Sequence, residues 1–175
     1  GSAKDTTPEA AIKITAEGIA KALQGYKGSA KLLLELSAGS GLVIGATFED
    51  MAEIIKLAEK KLGKKNVIGV CMDTAHVFAS GYDLRDKKSV DTTLKLFDKT
   101  ISLSRLGVIH ATDSMVDLGE KKDRHEHIGQ GKIGIAGFKA LVNHPKLKNI
   151  DMIVETPTPE GMKKDIALFK KLRGW

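Results

Sequence analysis

The stretch Asn66-Val67-Ile68-Gly69-Val70-Cys71-Met72-Asp73-Thr74-Ala75-His76 sets the reading of the whole chain. Its first seven residues are an apolar run opened by a turn residue, the pattern of a buried strand. Chemistry begins where the run stops, with Asp73 and then His76. Three other segments repeat the arrangement. Lys31–Leu36 carries Glu35 near its end, Leu106–Ala111 carries His110, and Ile150–Glu155 closes on Glu155. Helical periodicity fills the spaces at Pro8–Gln24, Phe48–Leu62, Val90–Ser104, Ile135–Asn143 and Pro159–Leu172. Thr-Thr-Pro is a good start for the first helix and Gly63 a good stop for the second.

The order is one helix, then strand and helix four times. Apolar strands each followed by a helix predict an α/β fold with a parallel sheet covered by helices. In α/β barrels the chemistry gathers at the carboxyl ends of the strands. All four strands here end in acidic or imidazole side chains, which core packing alone does not explain. Four βα units are half of an eight-unit barrel. The expectation is a single partial barrel domain over residues 1–175, with two strand edges left unpaired. Three arrangements stay open: a piece of a larger barrel, self-association through the open edges into a full ring, or an open doubly wound sheet.

A second dense stretch is Asp123-Arg124-His125-Glu126-His127-Ile128-Gly129-Gln130-Gly131. In extended backbone Asp123 and His125 share a face, while Arg124 points the other way, toward an approaching anion. The glycines allow backbone to come close to a ligand. Gly39–Gly45 is glycine-rich as well, but its spacing is wrong for a nucleotide loop and no Lys-Ser/Thr follows.

Composition adds bounds. The 175 residues are 42% hydrophobic and 29% charged, an ordinary globular balance. No window is apolar enough for a membrane helix, and no signal peptide is visible. The lone cysteine, Cys71, forms no intramolecular disulfide, fits a reducing compartment, and reads as a buried strand residue. A net charge of +6 suits a polyanion, although most lysines fall on solvated helix faces.

The motifs resemble those of endonuclease IV, the zinc-dependent apurinic/apyrimidinic endonuclease family of base-excision repair. Four stretches carry the resemblance: Leu33–Gly39; Gly69–His76 with Gly81–Arg85; His110–Ser114 running on to Asp123–Gly129; and Ile153–Pro157. It covers nearly the whole chain from the first helix on and corresponds to the second half of the family's TIM-type barrel. It implies hydrolysis of the phosphodiester 5′ to an abasic site in double-stranded DNA by a multinuclear zinc site.

By that resemblance, Glu35 bridges a first and a second metal and orients the attacking water as the catalytic residue. Asp73, His110 and Glu155 complete the second metal, and His76, Asp123 and His125 hold a third. The family binds three zinc ions; two of the sites have complete ligand sets here, because the first metal's histidines have no counterpart before Glu35. The ligand types favour Zn2+, with Mn2+ or iron as alternatives. Arg124 is expected on DNA phosphate. Asp113 is expected to orient a ligand imidazole, and His127 to support the ligands from outside or to be structural.

The chain departs from the family in two places. Leu36-Ser37-Ala38-Gly39-Ser40-Gly41 stands where the family has Asn-Thr-Ala-Gly-Gln-Gly, and Ala111-Thr112-Asp113-Ser114-Met115 where it has Leu-Asn-Asp-Ser-Lys.

Tyr82 and Arg85 are expected to brace the loop after the second strand, and His144 to be a surface residue. Trp175 receives no function. Two alternative readings remain: a metal-dependent sugar isomerase or epimerase of the same barrel superfamily, and a non-catalytic metal- or DNA-binding fragment. No membrane partner is expected. An intracellular location is, with cytoplasm or nucleoid not distinguished from nucleus or mitochondrion.

Overall fold

The computed structural model describes residues 1–174; Trp175 lies outside them. The chain folds as α1 (Pro8–Leu23), β1 (Leu32–Glu35), α2 (Phe48–Leu62), β2 (Ile68–Asp73), α3 (Thr74–Ala79), α4 (Lys87–Thr100), β3 (Leu106–Ala111), β4 (Asp113–Ser114), β5 (His125–Glu126), α5 (Gly134–Val142), β6 (Asp151–Val154) and α6 (Pro159–Arg173). Four strands form one sheet in the order β1-β2-β3-β6, every pair parallel. Each strand is joined to the next through helix, as the sequence predicts. β4 and β5 make a separate antiparallel ribbon.

One face of the sheet is the core. Leu36, Ile68, Val70, Met72 and Ile109 are fully buried there under helices that contribute Phe48, Leu94, Phe97, Phe138 and Leu141. Strand parity sends Glu35, Cys71 and Asp73 to the opposite face. Register then sets Glu35 beside Cys71 and Asp73 beside His110. That second face is the one a closed barrel would enclose. β2, in the middle, is buried throughout, whereas β1 is only half-buried and β6 alternates. Ile153 is 53% exposed. The expectation of four wholly buried strands therefore holds for β2, holds only in part for the central β3, and fails at the edges, where no neighbouring strand covers the backbone or the apolar side chains.

Helix ends follow local chemistry. Thr7, Thr47, Asp86 and Thr158 each accept an amide of the first turn of α1, α2, α4 and α6. Gly63 closes α2 at φ 63. α4 begins at Lys87 rather than Val90 because Asp86 caps it. It ends at Thr100 rather than Ser104, and Ser102, at φ 83, cannot continue a helix. The short α3 and the β4–β5 ribbon escape the sequence reading; both are too brief for periodicity to register.

The Gly39–Gly45 loop is fastened to the start of the chain. Ala3 N–H donates to Leu42 O at 2.8 Å and Ile44 N–H to Gly1 O at 3.1 Å.

At the amino ends of the strands lies a buried ion pair. Glu59 meets Arg105 through two hydrogen bonds of 2.9 Å, one to each oxygen. Val67 and Ile68 N–H donate to Glu59 Oε1 at 2.9 and 3.2 Å, and Arg105 donates to Ile68 O at 2.8 Å. Burial works against the Glu59 charge, but Arg105 and the two amides outweigh it and hold its pKa below the usual carboxylate value.

Candidate metal centre

All seven candidate ligands meet at the carboxyl ends of the four strands. Two subsets form. In the first, ligand atoms of Glu35, Asp73, His110 and Glu155 lie within 4.8 Å of one another. His110 Nδ1 is 2.6 Å from Glu155 Oε2 and 3.3 Å from Glu35 Oε1. In the second, His76 Nε2 and His125 Nε2 face each other at 3.4 Å, with Asp123 Oδ2 and Oδ1 each 3.2 Å from one of them. An oxygen of Asp73 also lies within reach of this pair.

The imidazoles are aimed by backbone. His76 Nδ1 lies 3.0 Å from Leu36 O, and His125 Nδ1 lies 3.1 Å from Glu155 O. Each Nδ1 therefore carries the proton, leaving a neutral ring's Nε2 as a lone pair pointed at the other. Two lone pairs facing at 3.4 Å, closed off by a carboxylate, repel unless something positive sits between them.

Asp73 makes the same point more strongly. It is fully buried. Its Oδ1 caps α3 by accepting His76 N–H at 2.8 Å. Its Oδ2 is the one buried side-chain oxygen without a hydrogen-bond partner among the described residues. Burial pushes its pKa up to about 6, with Glu35 adding to the rise. His76 is shifted upward too: burial opposes its charge, but Asp73, Asp123 and Glu35 prevail. A buried orphan oxygen and converging lone pairs are what a cation would relieve. The donor set fits a divalent metal: Glu35, Asp73, His110 and Glu155 could hold one ion, and His76 and His125 with a carboxylate another.

Asp113 does something other than orient an imidazole. Fully buried, its carboxylate accepts N–H from Ser114 at 2.8 Å, Gly129 at 2.9 Å, Ile133 at 2.9 Å and Gly134 at 3.1 Å. It therefore folds the Gly129–Gly134 loop around itself. Gly131 has to be glycine for this, since a Cβ would strike Ser114 O and Asp113 Oδ1. Four convergent amides satisfy a buried carboxylate better than one distant ring.

His127 also touches no ligand. Its Nδ1 pairs with Asp165 Oδ2 at 2.8 Å and its Nε2 lies 3.1 Å from Thr158 Oγ1, so it ties β5 to the start of α6. Arg124 is exposed, its Nη1 donating to Asp123 O at 2.8 Å.

Tyr82 braces its loop by stacking on Phe48 at 3.8 Å and accepting Phe48 N–H at 2.9 Å, and Arg85 does so by pairing with Asp83 at 2.8 Å. His144 is not a plain surface residue. Its side chain is 10% exposed, its Nε2 is 3.2 Å from Asp91 and its Nδ1 accepts Lys146 N–H.

The sequence alone reads Cys71 only as a buried strand residue. It is buried, but it faces the cluster, and burial with the nearby Glu35, Asp73 and Glu155 carboxylates pushes its thiol up to about 12. The signal for this is its place two residues before Asp73.

Residues 1–172 match the xylose isomerase-like TIM barrel family. The chain belongs to that family. Within it, the chain is 40% identical over 168 residues to the probable endonuclease 4 of Chloroflexus aurantiacus, covering 94% of this chain and 58% of the relative. It is 48% identical over 134 residues to the apurinic-apyrimidinic endonuclease of Caenorhabditis elegans, covering 75% of this chain and 33% of that one. The crystal structure of endonuclease IV from Thermus thermophilus superposes with a TM-score of 0.80 at 33% identity, covering 98% of this chain and 58% of that one. The four-stranded parallel sheet is thus a partial TIM barrel, and the chain spans a little over half the length of the bacterial relatives it matches. No helix is long and apolar enough to cross a membrane among the described residues.

Proposed function

We propose that residues 1–175 form one partial-barrel domain carrying most of the metal centre of a zinc-dependent endonuclease. Its reaction is hydrolysis of the phosphodiester 5′ to abasic sites in double-stranded DNA, as in base-excision repair. One observation carries the reading: three imidazoles and four carboxylates from four strand ends and one ribbon converge with their lone pairs inward. Borderline imidazole and carboxylate donors favour Zn2+, with Mn2+ or iron as alternatives. When bound, such a centre supplies an activated water and neutralises charge on a phosphodiester.

The chain's own residues have separate tasks. Glu35, with a side chain 41% exposed beside His110, is the group that would orient the attacking water. Leu36 O and Glu155 O accept the Nδ1 protons of His76 and His125 and so turn each Nε2 toward the other. Arg124 offers its guanidinium to a DNA phosphate beside the cluster. A DNA substrate goes with an intracellular location. The open edges of β1 and β6 favour self-association of the isolated chain.

The test is elemental analysis of gel-filtered protein together with incision of an abasic duplex. About two zinc ions per chain are expected, one for each complete ligand set. His125→Ala or Asp123→Ala should lower metal affinity about 1,000-fold, beyond the 10–100-fold lost with outer partners. Unchanged zinc and unchanged incision in both variants would reject the reading. The barrel family's description also admits a sugar isomerase or epimerase; ketose turnover without DNA binding would favour it. Duplex binding without incision at full zinc loading would mark a non-catalytic fragment.

A further inference from the structure

We propose that Asp165 is a positioning residue for the metal centre: its carboxylate clasps the ribbon that carries His125 to the segment that carries Glu155, and so sets the aim of the His125 imidazole. The inference rests on the metal-centre reading above and adds to it a residue that touches no ligand side chain. Asp165 lies in the second turn of α6 and is only 3% exposed. A carboxylate is rarely kept that deep without dedicated partners. Its partners come from two segments. Oδ2 accepts the Thr156 hydroxyl at 2.6 Å and pairs with His127 Nδ1 at 2.8 Å, and Oδ1 accepts Ile128 N–H at 3.1 Å.

Thr156 follows Glu155, and His127 stands two residues after His125. One oxygen therefore joins two ligand-bearing segments. Beside that joint runs the bond that aims a ligand, from His125 Nδ1 to Glu155 O at 3.1 Å. The two segments have unequal support of their own. Glu155 N–H donates to Ala111 O at 3.2 Å, and its carboxylate meets His110 at 2.6 Å. β5 is two residues long and pairs with the equally short β4. Without the clasp, His125 should lose its aim while Glu155 stays in place.

Gly161 is an independent mark of the same device. A Cβ at this position would run into the His127 ring. The first turn of α6 thus omits a side chain where the imidazole lies over it against Asp165. His127 Nε2 then meets Thr158 Oγ1, the cap of α6, at 3.1 Å, so the ring is held at both nitrogens.

Metal-free full chain is titrated with Zn2+ by calorimetry. The binding step that disappears in His125→Ala belongs to the His76–His125 position. Asp165→Ala should weaken that step about 10–100-fold, as for other groups that orient a ligand from outside, and leave the other step unchanged. Thr156→Val should weaken the same step by less, whereas Thr156→Ser, which keeps the hydroxyl, should bind like the unsubstituted chain. Glu59→Gln, at a buried acid near the other end of the strands, should move neither step. A second readout needs no metal. Imidazole nitrogen NMR of the metal-free chain should show His125 in its Nδ1–H form, and Asp165→Ala should mix the two ring tautomers.

Both zinc steps weakening equally in Asp165→Ala and Thr156→Val, or neither weakening, would overturn the inference and leave the metal centre standing. No zinc bound by the unsubstituted chain would overturn the metal centre. The tautomer comparison would then decide the clasp, and a His125 form unchanged by Asp165→Ala would overturn it. The Thr156 pair decides the matter even if Asp165→Ala fails to fold.

Discussion

The two ends of the sheet treat buried charge in opposite ways. At the amino ends of the strands, Glu59 and Arg105 answer each other through two 2.9 Å bonds, and backbone groups of Val67 and Ile68 take up what remains. At the carboxyl ends, Asp73 keeps an oxygen with no partner, and Glu35 and Glu155 crowd one imidazole. Both ends bury charge on the same scaffold. The first closes its account within the protein, and the second leaves it open toward a visitor. A carboxylate that is buried and satisfied is structural; one that is buried and unsatisfied points to a ligand.

Substitutions should separate the two kinds. The largest loss of stability is expected for Asp113→Ala, which leaves the Ser114 amide and three loop amides without an acceptor. Denaturant unfolding should show a loss of about 4 kcal/mol or more. A loss below about 1 kcal/mol would mean that the loop amides find other partners.

Glu59→Gln comes next, at about 3 kcal/mol near pH 7, because it strands the Arg105 charge. Metal content should not change. Glu59 has a lowered folded pKa, so its contribution is present above its ordinary 4.5 and disappears as pH falls through the folded value. The gap between native and variant should therefore narrow on acidification; a gap independent of pH would contradict the ion pair's role.

The smallest effect is also the one that reverses sign. Asp73→Asn keeps an acceptor for the α3 cap yet removes the costly charge. In metal-free protein it should raise stability by about 1–2 kcal/mol near neutral pH while weakening metal binding. Because the folded pKa of Asp73 is raised, its contribution falls as pH climbs from 3.8 through about 6. The raised pKa of His76 acts in the same direction, its contribution being complete below 6.5 and lost above the folded value.

Metal-free protein should therefore unfold at lower denaturant at about pH 8 than at about pH 5. Metal-loaded protein should show the reverse, since binding needs carboxylate and neutral imidazole. Parallel pH profiles for the two forms would break the comparison between the ends of the sheet.

Much of this was legible in the residues. β3 begins and ends where its apolar run does, and α2 runs from Phe48 to Leu62 because Thr47 and Gly63 bracket an amphipathic stretch. Glu35, Asp73, His76, His110 and Glu155 stood out because acids and imidazoles at strand ends have no packing use, and Asp123 and His125 because they share a face in the Asp-Arg-His stretch; their grouping as ligands came from the family resemblance. What could not be read was pairing at a distance. Asp113 and a ligand imidazole are plausible partners by type, and only the path of the Gly129–Gly134 loop assigns the carboxylate to amides. Asp165 was missed for the same reason. It lies in an exposed-looking helix, yet it is buried against His127, Ile128 and Thr156. Cys71 looked inert because its neighbours in sequence are apolar, while its neighbours in space come from other strands.

α1 comes before β1 in the chain and packs on α2, so five long helices attend four strands. Counting seams then limits how copies can meet. A ring of eight strands has room for one helper helix over each junction between neighbours. Two copies joined edge to edge would bring α1 of one and α6 of the other to the same junction. A symmetric closed ring would have to evict a helix at each join, whereas a complement of strands with one helix fewer would fit without eviction.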